Sequence, residues 1–200
     1  MGAWISNDFI TISDETKISH IHYLDVFSYK DIDDNFINQL IEDDRIKTIQ
    51  VSKALPKEAF FKIDSILARK PELNFRIYNL YYYNRYDISF LKDMPHLHRL
   101  TIDCHLRDWN DEIDFNILTE LNLKRLHLNA FDLKDYSFIQ NLSKDIEELL
   151  ILADGMSSSV KFDCKWLLQY DKLRTLWLDK KAKKNIECLS ETKSLRSLSL

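Results

Sequence analysis

Paired histidines are the first residues in this chain whose type and spacing could do chemistry. His20 and His22 lie two residues apart, so an extended strand would point both imidazoles to the same side, where they could bind a metal ion. Four more histidines follow along the chain: His96, His98, His105 and His127. No cysteine or carboxylate completes a ligand set at a diagnostic spacing. A metal enzyme or hydrolase on these histidines therefore stays an alternative, and we expect no metal site.

Glycine and cysteine usage argues against most other enzyme chemistry. Gly2 and Gly155 are the only glycines among 200 residues. Phosphate-binding loops, dinucleotide-binding turns and nucleophile elbows all need glycine where the backbone turns tightly. The cysteines form no C-x-x-C pair and are too scattered for a disulfide framework: Cys104, Cys164 and Cys188. We expect no catalytic residues, no cofactor and no enzymatic activity.

Composition and charge limit the remaining partners. The chain is long enough for one domain with a real core, is 45% hydrophobic and 30% charged, and carries a net charge of −4. It therefore lacks the basic field typical of proteins that bind nucleic acid. No apolar run approaches the roughly 18 residues that span a bilayer, and the N-terminal segment lacks the apolar stretch of a signal peptide. We expect a cytoplasmic protein that binds neither nucleic acid nor membrane.

Trp177 is the residue that points to binding. In the segment 171–180 it stands between Leu176 and Leu178. Neighbouring side chains of a strand point to opposite faces, so burying the two leucines turns the tryptophan outward. Tryptophan is enriched at the centres of protein interfaces. The segment therefore favours a contact surface built on a strand.

An internal repeat places this strand in a larger pattern. Segments of the form apolar-x-x-apolar-x-apolar, here called rungs, recur along the chain, and all their key positions are apolar or aromatic. The rungs occupy 18–23, 46–51, 97–102, 123–128, 146–151, 173–178 and 195–200. One more rung fits at Leu73 when one residue is deleted, so that Phe75 and Ile77 take the places of Leu100 and Ile102.

The repeat resembles the leucine-rich repeat family, whose units of about 20–29 residues each open with L-x-x-L-x-L on a strand. Short connections such as 87–103 resemble the irregular repeats of bacterial internalins. The resemblance implies an α/β fold, a solenoid with a parallel β-sheet on its concave face and helices and turns on its convex face. It also implies a single solenoid domain, with 1–45 as an N-terminal cap and first irregular repeat and 46–200 as leucine-rich repeats.

Helices and sheet ends complete the expected architecture. Apolar residues at helical spacing predict helices over 31–43 and 56–70, so the convex side changes from helices early to short turns late. Residues 9–13 predict a strand that covers the open edge of the first rung. Nothing in the chain covers the last rung, 195–200. This favours a homodimer through the C-terminal edge, or a native chain that continues beyond Leu200.

Alternation within the rungs predicts the binding face. The first, fourth and sixth positions point to the core, and the third and fifth point to the concave side, where like positions of neighbouring rungs stack. The predicted protein-binding residues lie in these rows or beside them: Arg99, Thr101, Arg125, His127, Glu148, Leu150, Arg174 and Trp177. The arginines around the tryptophan favour a partner with an acidic rim and an apolar centre.

Some alternatives weigh against this face. A shift of one residue in 149–152 would turn Leu150 and Leu152 inward. Trp177 could be covered by a continuation of the chain or by a second copy. The five tyrosines of 77–86 could form another contact surface, or they could fill the convex side.

The repeat and its outward rows favour a non-enzymatic module that binds another protein through the concave face. A bacterial immunity or regulatory protein is a role that would suit such a module, by analogy with the family. Alternatively, the chain is the recognition segment of a longer effector whose catalytic domain lies outside it.

Overall fold

The computed structural model of the chain describes residues 8–15, 17–19, 24–78, 87–105, 113–131, 133, 135–152, 161–179 and 183–200. Within these ranges the backbone forms one ten-stranded sheet, a separate two-stranded ladder, two α-helices and several short 3-10 helices. Nine strands of the large sheet run parallel. The predicted α/β class with a large parallel sheet is therefore confirmed.

The strands are numbered in chain order. They are β1 (Phe9–Ser13), β2 (Lys17–Ser19), β3 (Leu24–Ser28), β4 (Thr48–Val51), β5 (Asn74–Ile77), β6 (Arg99–His105), β7 (Arg125–Phe131), β8 (Glu148–Ile151), β9 (Phe162–Asp163), β10 (Thr175–Leu178), β11 (Lys183–Lys184) and β12 (Ser197–Ser199). The order across the large sheet is β12-β10-β8-β7-β6-β5-β4-β1-β3-β2, and β9 pairs with β11 in the small ladder.

From β4 onward the sheet follows the predicted repeat. Each strand of the large sheet pairs with the next one along the chain, and like positions of neighbouring rungs lie opposite each other. The deletion predicted for the rung at Leu73 is confirmed, since Phe75 pairs with Leu100 and Ile77 with Ile102. A slip of one residue would have turned every core side chain outward, so burial of the apolar positions fixes this register.

The N-terminal strands depart from the predicted order. The parallel rung expected at 18–23 is wrong where the structure describes it, because Ile18 and Ser19 lie in β2, which runs antiparallel to β3. Residues 20–23 lie outside the described residues. Residues 9–13 do form the predicted strand, but β1 lies between β3 and β4 and pairs with both, so it is an inner strand. Local pattern identifies such strands, whereas their order depends on contacts distant in sequence.

Two α-helices lie on the core side of the sheet at the predicted places. A 3-10 helix, Tyr29–Asp31, leads into α1 (Asp34–Glu42), whose first turn is capped by the Asp33 carboxylate accepting a hydrogen bond from the Phe36 N–H at 2.7 Å. The second helix, α2 (Lys57–Arg69), begins directly after a proline that fixes the entering backbone. Both helices bury one apolar face, and the described part of the chain has no α-helix after α2.

Lys70 connects the ends of the two helices. It directly follows α2 and is only 4% exposed. Its ammonium donates hydrogen bonds to the main-chain oxygens of Ile41 and Asp43 at the C-terminal end of α1, over 3.2 and 3.0 Å. A cation at this end complements the helix dipole and satisfies carbonyl groups that the helix itself leaves without donors.

After β5, 3-10 helices replace the α-helices, as the shorter connections predict. Their ranges are Ser89–Asp93, Phe115–Glu120, Ser137–Asn141, Cys164–Leu167 and Ile186–Glu191. An aspartate precedes most of them and accepts a hydrogen bond from the main-chain N–H two residues later: Asp87, Asp114, Asp135 and Asp163. Asn185 holds the equivalent place before the last one, with left-handed backbone at φ 56°. Asparagine tolerates this conformation better than most residues.

The core lies between the sheet and the helices. The fourth-position leucines of the inner rungs are at most 1% exposed: Leu100, Leu126, Leu149 and Leu176. Leu198, the matching residue of β12, is 47% exposed, because no described strand packs beyond it. None of the described helices is both long and apolar enough to cross a membrane.

Candidate interaction face

The side of the sheet opposite the helices carries the side chains that alternate with the core leucines, and we call this side the open face. On β6, β7, β8, β10 and β12 it consists of two stacked rows, Arg99, Arg125, Glu148, Thr175 and Ser197, and Thr101, His127, Leu150, Trp177 and Ser199. The structure thus brings together all the predicted binding residues except Arg174, which precedes β10 and is exposed at the edge of the rows.

Leu150 and Trp177 form the apolar centre of the open face. They lie directly opposite each other on β8 and β10. Trp177 is 45% exposed and Leu150 is half-buried. The alternative register is wrong, because Leu149 and Ile151 are fully buried and Leu150 points the other way. On its far side Trp177 pairs with a small residue, Ser199, so the described chain leaves the indole accessible.

Two of the arginines expected to meet a partner's acidic rim, Arg99 and Arg125, are paired with Glu148. The Arg99 Nη2 donates to Glu148 Oε1 at 2.9 Å, and the Arg125 Nε lies 3.3 Å from Glu148 Oε2. Arg99 reaches this carboxylate across an intervening strand, because neighbouring strands lie only about 4.8 Å apart and the arginine side chain is long. Two cations share one carboxylate, so the cluster keeps one net positive charge. The open face therefore has less unpaired positive charge than the sequence indicates, so the expectation of a partner with an acidic rim has less support.

Arg125 is also held by a hydrogen bond to a side chain of β5. Its Nη1 donates a hydrogen bond to the side-chain oxygen of Asn74 at 3.2 Å, and the Thr101 hydroxyl donates to the same oxygen at 3.1 Å. Burial lowers the pKa of Arg125, while the neighbouring Glu148 raises it and Arg99 lowers it again. The guanidinium stays charged near neutral pH, and its contacts fix its orientation.

His127 lies between the charged cluster and the apolar centre. Its pKa is lowered from 6.5, first by burial, with Arg125 and Arg76 acting in the same direction and Asp103 opposing them. The imidazole is therefore largely neutral at pH 7. Among the described residues no hydrogen-bond partner reaches its buried Nε2. A neutral ring next to Leu150 extends the less polar part of the open face.

A polar ladder that the sequence reasoning missed continues the open face toward β1. Gln50 donates to the Thr11 hydroxyl at 2.8 Å, and both residues are almost fully buried. Arg76 Nε donates to Asp103 Oδ2 at 2.5 Å, and Asn129 donates to the other oxygen of that carboxylate at 3.0 Å. The sequence contains part of the signal for this ladder, because polar residues occupy the outward-facing positions of β4 and β5. It does not identify the hydrogen-bonded pairs, because the partners lie on other strands.

Burial keeps the thiols of two described cysteines, Cys104 and Cys164, protonated. Burial, with a contribution from Asp103, raises the pKa of the Cys104 thiol to about 12, and burial above all raises that of Cys164 to about 11. Neither is a thiolate near neutral pH, which nucleophilic chemistry would need. Within the described ranges no group of three or more His, Cys, Asp or Glu could hold a metal ion. His20 and His22 lie outside the described residues, as do residues 79–86 of the tyrosine-rich segment.

A cleft of about 300 Å³ lies on the helical side, between the start of α2 and the 3-10 helix Ser89–Asp93. Phe60 and Phe90 stack there with ring centroids 3.8 Å apart, and the Lys57 ammonium lies 2.8 Å from the Asp93 carboxylate. The aromatic rings and charges of this cleft thus contact one another. The open face, with its exposed tryptophan, is the better candidate site.

Two comparisons with known proteins found no match. No protein-family model matches the chain, and no curated protein matches it. The functional conclusion therefore depends on the geometry of the open face itself.

Proposed function

We propose that this chain is a leucine-rich repeat solenoid that binds another protein through its open face, as a non-enzymatic module in an immunity or regulatory role. The observation that carries the proposal is the exposure of Trp177, which is 45% exposed and in direct register with Leu150. Adjoining exposed apolar residues are typical of interaction sites, and tryptophan is enriched where interfaces concentrate their binding energy.

The regular course of the chain supports the solenoid. From β4 to β12 each strand of the large sheet adds beside the preceding one, and each connection contains α2 or a 3-10 helix. Each unit buries its leucines against the next unit, which is how repeat proteins build a continuous core. On this proposal the open face is the concave face of the solenoid.

The two halves of the open face differ, and this difference suggests which chemical groups a partner would present. Toward β1 the polar side chains satisfy one another, so a ligand there would have to break existing hydrogen bonds. Toward β12 the rows hold Leu150, Trp177 and the small hydroxyl residues Thr175 and Ser199, with Arg174 exposed nearby. A partner segment with an apolar or aromatic side chain, flanked by groups that hydrogen-bond to hydroxyls, fits this half best.

The test compares two exposed aromatic residues on opposite sides of the sheet. Immobilised wild-type chain is first used to capture a partner from cell lysate. The partner is then identified and purified, and its Kd for the wild type and for each variant is measured by titration. We expect Trp177→Ala to weaken binding by about 2 kcal/mol, roughly 30-fold in Kd, because it removes the central apolar contact. Phe61→Ala should leave the Kd unchanged. Phe61 is 51% exposed but lies on α2, away from the open face.

Circular dichroism verifies that both variants fold. Equal affinity of wild type and Trp177→Ala for the purified partner would contradict binding through the open face. Weaker binding by Phe61→Ala alone would move the site to the helical side.

A further inference from the structure

Charge changes sign across the open face, from the edge where the strands begin to the edge where they end. Main-chain hydrogen bonds align the residues that directly precede β7, β8, β10 and β12 in one row at the first of these edges. We call this row the entry row, and it consists of Lys124, Glu147, Arg174 and Arg196. Its three positive charges and one negative charge give a net charge of +2, although the chain as a whole carries −4.

The open face becomes less positive toward the strand ends. The cluster around Glu148 keeps one net positive charge, and the row that contains Trp177 carries no charged side chain at pH 7. Asp179 lies two residues after Trp177, is exposed and adds a negative charge. The equivalent residue of β6, Asp103, is paired with Arg76. The apolar centre therefore lies between a positive side and a weakly negative one.

Two cations of the entry row, Lys124 and Arg174, are exposed and take part in no ion pair with a described carboxylate. The Asp145 carboxylate lies close enough to Lys124 to feel its charge, but it pairs with Lys172 instead. Lys124 and Arg174 are two strand spacings apart, or about 10 Å, with the half-buried Glu147 between them. A carboxylate of a partner can therefore reach either cation without displacing an existing ion pair.

We propose that the open face binds an acidic segment of its protein partner, with an apolar side chain of that segment on Trp177 and an Asp or Glu at Arg174. This inference rests on the proposed function and names the chemistry of the segment. Arg174 stands three residues before Trp177, or about 10 Å along the strand, so the two partner residues lie about three positions apart in an extended segment. Asp179 sets the orientation, because it repels a carboxylate placed at the other end of β10.

Random peptides test the chemistry of the segment without a known partner. Short phage-displayed peptides are selected on the immobilised wild-type chain, after removal of those that also bind Trp177→Ala. We expect the selected peptides to share an apolar or aromatic residue and an Asp or Glu about three positions away.

Selected peptides that require Trp177 but have no preference for an acidic residue would overturn this inference and leave the proposed function standing. A selection that yields no peptide dependent on Trp177 overturns the inference as well, while the captured partner judges the proposed function separately.

Charge reversal tests the contact at Arg174. The Kd of one selected peptide, made as a fluorescent probe, is measured for the wild type, Arg174→Glu and Lys47→Glu. Lys47 is the matched control, because it is exposed and directly precedes β4 as Arg174 precedes β10, but lies five strand spacings away, or about 24 Å. We expect Arg174→Glu to bind about tenfold more weakly in low salt, with a smaller difference in high salt, and Lys47→Glu to bind like the wild type.

Circular dichroism verifies that both variants fold. Unchanged binding by Arg174→Glu, or equal weakening by both variants, overturns the contact at Arg174.

A neutral form of the same peptide, with its Asp or Glu changed to Asn or Gln, completes the comparison. It should bind the wild type about tenfold more weakly than the acidic peptide does, and Arg174→Glu should affect it much less, because the pair of charges is already broken. A neutral peptide that binds the wild type as tightly as the acidic one overturns the proposal.

Discussion

His127 is a histidine that its surroundings keep uncharged, and this has a measurable effect on stability. Burial depresses its pKa in the folded chain below the ordinary value of 6.5, with Arg125 and Arg76 contributing and Asp103 opposing. As the pH falls below 6.5, the unfolded chain takes up a proton before the folded chain does. The contribution of this residue to stability is thus complete above pH 6.5 and is lost as the pH falls through the folded pKa.

We therefore expect His127→Gln to be less sensitive to acid than the wild type. Urea unfolding at pH 7.5 and pH 5.5 gives the free energy of unfolding for both proteins. The wild type should lose more stability between the two values, since only it must keep this imidazole neutral. Equal losses would mean that His127 titrates alike in the folded and unfolded chains.

The residues of the open face illustrate what a sequence reveals about side chains. Alternation within a rung predicts which way Arg99, Arg125 and Trp177 point, because the period of a strand is two residues. It does not predict that Glu148 pairs with both arginines, or that Arg76 meets Asp103, because these contacts join strands and depend on side-chain conformation. The apolar centre could therefore be predicted, while the charge left for a partner could not.

At the scale of elements, the Asp163 side chain links the connection that precedes β10 to the connection that precedes β12. Its Oδ1 accepts hydrogen bonds from the Lys165 N–H at 3.1 Å and from the Asn185 side chain at 2.7 Å, and Lys184 lies 3.1 Å from its Oδ2. Burial tends to raise the pKa of this carboxyl, but the hydrogen bonds and Lys184 outweigh it, so the pKa lies below 3.8. The charged form thus caps one turn and positions the next.

Asp163→Ala should lower the free energy of unfolding by about 2 kcal/mol, the sum of a lost cap and a lost hydrogen bond between turns. Asp135→Ala is the matched control. Among the described residues, Asp135 accepts hydrogen bonds only within its own turn, from the N–H and hydroxyl of Ser137, so we expect about half that loss. Chemical denaturation measures both. Equal losses would show that the link to Asn185 adds nothing.

Elements with a strong local signal were predictable, and those defined by distant contacts were not. Both α-helices and the strands of the large sheet from β4 onward follow from apolar spacing, since each buries one face or alternates. The two short strands of the small ladder, β9 and β11, have no such pattern and were not predicted. The aspartate before four of the later 3-10 helices is a local signal too, since it recurs about ten residues before the next rung. These residues are Asp87, Asp114, Asp135 and Asp163. The insertion of β1 between β3 and β4 has no such signal, because it depends on contacts between residues that are distant in sequence.

At the scale of the whole molecule, core packing should contribute most to the free energy of unfolding in the inner rungs and least at β12. Leu126 and Leu198 hold the same place in their rungs but are 0% and 47% exposed. Leu126→Ala should cost about 3 kcal/mol because it leaves a cavity, and Leu198→Ala less than about 1 kcal/mol. Urea unfolding of both variants provides the comparison. Similar costs would mean that the rungs do not stack as described.

The position of β1 between β3 and β4 also affects the order in which the chain folds during synthesis. β1 is made before either of its neighbours, so it must wait, unpaired on both sides, until residues 24–28 and 48–51 have followed it. From β4 onward, each strand of the large sheet finds a neighbour already in place. Assembly on the ribosome should therefore begin with one slow event that involves about the first quarter of the chain, and then proceed by fast, local additions.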